Sequence, residues 1–154
     1  MSAANQLLWR VNNEYRKRLS QAQTLLNLLE QLLLMQNDPN QEHALAVLNY
    51  AREQIEAMTE EHRQWRYSYY YESVETKRMV QDDTAINQAL ARFTRMRTHQ
   101  ERRLNDLYTL IFDVPRPDPN LTRVPNGDLW MMTRHAIQDL VMFDNFLNQT
   151  SLVT

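Results

Sequence analysis

ALAVLNYAREQIEAMTEEHRQWRYSY, residues 44–69, is the stretch on which the fold turns. Ala44, Leu48, Ala51, Ile55, Met58, His62, Trp65 and Tyr69 follow one another at steps of four and three without a fault. That spacing puts all eight side chains on one face of an α-helix. A seven-residue repeat predicts near-parallel, left-handed packing against a neighbouring helix. Just upstream, Asp38 suits an N-cap, Pro39 the first helical position and Gln41 the capping-box site. The helix is therefore expected over about 39–80. Its seam weakens past Tyr69, where the last turns are expected to bend or project.

Three further segments carry helical periodicity. From about 3 to 36, Leu8, Val11, Tyr15, Ala22, Leu25, Leu29 and Leu32 recur at helical spacing, with Arg18 completing the series and Leu19, Leu26 and Leu33 widening the stripe. So broad an apolar face predicts contact with more than one neighbour. The short joint at 37–41 predicts an antiparallel return. Asp82-Asp83-Thr84 offers the next cap, followed by a helix over 85–112 on Ile86, Leu90, Phe93, Leu104, Leu107 and Ile111. Arg97 and Gln100 take seam positions in its middle. Residues 113–127 contain Pro115, Pro117, Pro119 and Pro125 and cannot form a regular helix. Asp128 then caps a last, shorter helix over 128–148, apolar around much of its girth. The expectation is an all-α, single-domain antiparallel four-helix bundle with three long helices, a proline-rich loop and a shorter C-terminal helix.

Composition narrows the chemistry. The chain has one glycine, Gly127, and no cysteine. Phosphate-cradling loops and tight hairpins draw on glycine, so a P-loop or dinucleotide fingerprint is not expected. Asn126-Gly127 is expected to form the turn that sets the approach angle of the last helix. Without cysteine there are no disulfides, thiolate metal sites or cysteine nucleophiles. The longest apolar run, Leu32 to Met35, is far short of a membrane span, and the first residues do not read as a signal peptide. A cytoplasmic protein without membrane contact is expected. Net charge is −2, so any affinity for nucleic acid would rest on a local patch.

The histidines, His43, His62, His99 and His135, have no acidic residue three positions before them, so the Glu-x-x-His metal pattern of helical bundles is missing. No metal and no cofactor are expected. His62 lies on the seam and reads as a hydrogen-bonded core residue. Arg92, Arg95, His99 and Arg102 line one face of the third helix, with Arg103 beside them. These cations are expected to meet Glu53, Glu56, Glu60 and Glu61 of the second helix. The alternative is a grip on phosphates through Arg92, Arg95, Arg102 and Arg103. Arg92 and His99, six residues between them, resemble the Arg-x4–6-His motif of the HEPN superfamily, which includes metal-independent ribonucleases. The resemblance implies His99 as general acid or base and Arg92 as a stabiliser of charge on a scissile phosphate. Phe93 stands where that family carries a polar residue.

Trp65, Tyr67, Tyr69, Tyr70 and Tyr71 alternate with Arg63 and Arg66. Successive helical positions point around the axis, so one core cannot bury them all. Tyrosine and arginine are also the residues of binding hot spots. The function expected from the sequence is a non-enzymatic, self-associating protein-interaction or scaffold module. Its expected binding residues are Tyr67, Tyr70, Tyr71, Trp130 and Met131. A nucleic-acid-binding bundle, ribonuclease or not, is the first alternative. A small-ligand bundle with a methionine-lined pocket is the second.

Overall fold

The computed structural model describes residues 2–36, 41–73, 78–112, 128–143 and 145–146. Four helices carry the architecture: α1 (Ala3–Gln36), α2 (Glu42–Trp65), α3 (Asp83–Phe112) and α4 (Leu129–Val141). The chain is an all-α bundle with three long helices and a shorter C-terminal one. α2 and α4 each pack on both α1 and α3, and α1 meets α3 across the middle. The joint at 37–40, the proline-rich stretch at 113–127 with Gly127, and residues 147–148 lie outside the described residues.

The stripes read from the sequence face inward. Every α2 seam residue from Ala44 to Trp65 is buried. On α1 the same holds for Leu8, Val11, Tyr15, Leu19, Ala22, Leu25, Leu26, Leu29 and Leu33. Caps set the helix starts. Ser2 Oγ accepts the Asn5 amide at 3.1 Å, Asp82 Oδ1 accepts that of Ala85 at 3.1 Å, and Asp128 Oδ1 accepts that of Trp130 at 2.9 Å. Asp82→Ala is expected to cost about 1 kcal/mol of stability, as loss of an N-cap acceptor does. A shift in the urea midpoint at constant slope would measure it. At α2, Gln41 occupies the cap position without a side-chain bond.

The second helix does not run to Val80, which corrects the expected span of 39–80. Its α-winding ends at Trp65, and residues Arg66–Tyr70 continue as one π turn, closed by the Tyr71 amide donating to the Arg66 carbonyl. A π turn takes up one more residue than an α turn. The inward position therefore moves from Tyr69, where the heptad places it, to Tyr70, which is buried while Tyr69 is half-buried. The backbone then becomes extended at Tyr71 and forms a small antiparallel ribbon, β1 (Tyr71–Ser73) with β2 (Arg78–Met79), pairing Tyr71 with Met79. The Val80 amide donates to the Tyr70 carbonyl at 2.9 Å and closes its base. The extended backbone begins at Tyr71, a residue type that favours strands, once the seam has run out.

Candidate functional site

The centre of the bundle is aromatic and polar. The Tyr15 ring stands edge-on to His62 and Phe93 at 5.0 and 5.4 Å and tilts against Phe143 at 5.2 Å. His62 stacks on Trp65 at 5.5 Å, and Trp65 Nε1 donates to the Ala89 carbonyl at 2.8 Å. His62 is thus a core histidine, but its Nε2 is buried without a hydrogen-bond partner, against the expectation of a hydrogen-bonded ring. Burial pushes its pKa down to about 3, helped by the charges of Arg66 and Arg16. It is neutral, enclosed and unsuited to proton transfer with solvent.

Arg97 and Gln100, the two polar seam residues of α3, have defined tasks. Arg97 Nη2 donates to the Leu140 carbonyl at 3.1 Å, near the C-terminal end of α4, where helical carbonyls lack partners and a cation suits the dipole. Its guanidinium also lies over the rings of Tyr15 and Phe143, and Arg18 of α1 lies over Phe143 and Phe146. Tyr15 donates its hydroxyl to Gln100 Oε1. Gln100 Nε2 donates to Glu61 Oε2 at 3.1 Å, and Arg103 pairs with Glu61 Oε1. A polar chain therefore runs from the bundle centre to its surface. Burial pushes the Tyr15 hydroxyl up to about 12 despite the opposing charge and hydrogen bond of Arg97. It stays protonated and remains a donor.

That chain ends at the rim of a groove of about 400 Å³ between α2 and α3. Trp65 and Met96 contribute apolar surface, Gln64 and Ser68 line the α2 side, and Arg92, Arg95 and His99 line the α3 side. The Arg92 guanidinium lies over the Tyr69 ring at 5.5 Å. Arg92, Arg95, His99 and Arg102 are all exposed. Among the described residues no carboxylate pairs with any of them. Of the four glutamates expected to meet the Arg face, only Glu61 does so, through Arg103. Glu60 is taken by Arg63 on its own helix, and Glu53 and Glu56 line a separate groove between α1 and α2. The expected pairing fails because Glu53 and Glu56 lie towards the α1 side of α2, away from α3.

The residues expected at a binding surface are dispersed. Tyr70 packs on Trp65 at 5.9 Å and donates to Met79 Sδ at 3.3 Å, so it belongs to the core and cannot contact a partner in this structure. Tyr67 and Tyr71 are half-buried, their rings 5.7 Å apart, with Arg63 and Arg66 over them. Trp130 lies under the Arg134 guanidinium at 4.5 Å, and Met131 is 37% exposed. Both sit on the first turn of α4, about 15 Å along that helix from Leu140. Arg92 and His99 do share a groove. Met96 is the one methionine lining it. Among the described residues no group of three or more His, Asp or Glu could hold a metal, and no helix is long and apolar enough to cross a membrane.

The architecture defines the class, an all-α helical bundle. No family model, curated protein or solved structure matches the chain.

Proposed function

We propose that the protein is a non-enzymatic interaction module whose binding surface is the outer face of α2 and α3. The observation that carries this is the groove between them. It joins exposed, unpaired Arg92 and Arg95 to Tyr69, Trp65 and Met96, and aromatic, arginine and methionine side chains are those enriched at protein interfaces. Glu61 lines the same groove and weakens the local field a polyanion would need, which favours a protein over nucleic acid. The one strongly perturbed histidine, His62, is sealed in the core, away from any substrate.

A photo-crosslinking amino acid at position 95 is expected to yield protein adducts in cells. The same probe at Gln21, exposed on α1, is expected to yield none. Nucleic-acid adducts at 95, or none at all, would overturn the reading. Because Arg92 and His99 share the groove, the ribonuclease reading has its own check. Structured RNA is expected to survive incubation with the protein, and cleavage abolished by His99→Ala would replace an interaction module with an enzyme.

A further inference from the structure

We infer that the end of α2 is a two-register device. One residue passes between the π turn and the β1–β2 ribbon, so that Tyr69 replaces Tyr70 against Trp65 and leaves the groove. The inference concerns the shape of the groove and stands whatever fills it.

In α-winding, the fourth residue after Trp65 returns to the seam, and that residue is Tyr69. In the π turn the fifth does, and that residue is Tyr70. The two claimants to one core position are the same residue type, and a third tyrosine follows. A one-residue slip ordinarily exchanges unlike side chains. Here it moves Tyr69 into the place of Tyr70 and Tyr70 into the place of Tyr71, so tyrosine replaces tyrosine twice.

The contacts at these places are ones that either tyrosine can make. The Tyr70 ring lies 5.9 Å from that of Trp65 and 5.2 Å from that of Tyr71, and its hydroxyl donates to Met79 Sδ at 3.3 Å. Backbone bonds transfer in the same way. The Arg66 carbonyl, which accepts the Tyr71 amide in the π turn, accepts the Tyr70 amide once the turn is α. The Val80 amide, now on the Tyr70 carbonyl at 2.9 Å, passes to that of Tyr69. The ribbon takes up the displaced residue. Its register already shifts between Tyr71 and Ser73, where one residue stands outside the pairing.

The place left unfilled is that of Tyr69 itself. Its ring lies under the Arg92 guanidinium at 5.5 Å. With Ser68 it lines both the groove and a neighbouring cleft of about 200 Å³ bounded by Val80, Asp82 and Ala85. Taking Tyr69 inward frees Arg92 from its ring and joins the groove to the cleft. The slip exchanges the rarer π winding for an α turn and gives up the Arg92–Tyr69 contact, two small and opposed changes. A ligand that touches Tyr69 favours the π register, and one that fills both clefts favours the α register, each by its difference in affinity.

The test is alanine at the two tyrosines, singly and together, with 3-fluorotyrosine placed at position 69 and read by fluorine NMR. Tyr69→Ala and Tyr70→Ala each leave a tyrosine that reaches Trp65, whereas the double variant leaves none. Tyr70→Ala is expected to lower the urea midpoint by less than a third of the loss in the double variant. It is also expected to bury the fluorine at 69, cutting its solvent isotope shift at least twofold from the value in the parent. In a chain of one fixed register, Tyr70→Ala loses about as much as the double variant and the fluorine at 69 keeps its exposure. Either result overturns the inference.

Discussion

Trp65→Ala is expected to lower the unfolding free energy by about 3–5 kcal/mol, the range for emptying a large aromatic from a core. Trp65 is 4% exposed and sits where α2, α3 and the π turn converge. It stacks on His62, meets Phe93 edge-on at 5.1 Å and supports Tyr70. Its indole nitrogen also ties α2 to the Ala89 carbonyl of α3. Domains of this size are stable by about 5–15 kcal/mol, so the alanine variant should be substantially weakened at 37 °C. Trp65→Phe keeps a ring but drops the hydrogen bond, and should fall between parent and alanine. Urea unfolding followed by far-ultraviolet circular dichroism would rank the three. A loss below about 1 kcal/mol for Trp65→Ala would mean that the aromatic centre does not hold the bundle together.

Stability is also expected to fall in mild acid, with His62 as the cause. Its pKa is about 3 in the folded protein and 6.5 when unfolded. Between those values the unfolded chain binds a proton that the native chain refuses, so protons favour unfolding. His62 therefore carries no penalty above pH 6.5 and a growing one as pH falls towards 3. The limiting slope is about 1.4 kcal/mol per pH unit. From pH 6.5 to 4.5, before most carboxylates titrate, the loss should reach about 2–3 kcal/mol. His62→Phe removes the titrating group and breaks no hydrogen bond at Nε2, which has none. The slope in that window should be markedly shallower in the variant. Equal slopes in parent and variant would assign the acid sensitivity elsewhere.

Periodicity exposed most of the architecture because burial here follows helix geometry. α1 was legible to its ends, and the α2 seam as far as Trp65, since each step of three or four returns to the same face. The π turn was not legible: its winding adds a residue without any residue type that marks it, so the inward position moved from Tyr69 to Tyr70. The tasks of Arg97 and Gln100 were hidden for a related reason. Polar residues on a seam look like defects until their partners, Leu140, Tyr15 and Glu61, are brought from other helices. The groove was half visible. Spacing grouped Arg92, Arg95, His99 and Arg102 on one face, but nothing in it revealed that Glu53 and Glu56 would lie towards α1.

α4 is held by its own buried residues, Leu129, Thr133, Ala136, Ile137 and Leu140, and by Phe143 just past its end, against which the guanidiniums of Arg18 and Arg97 lie. α4 has 13 residues, near the lower limit at which an isolated helix persists in water. Its order is therefore conditional on the side chains that receive it, and detachment and loss of helical structure become a single event. In hydrogen-exchange terms, the amides of α4 are expected to exchange as one cooperative unit, with protection set by its packing on α1 and α3 and by the two arginines against Phe143.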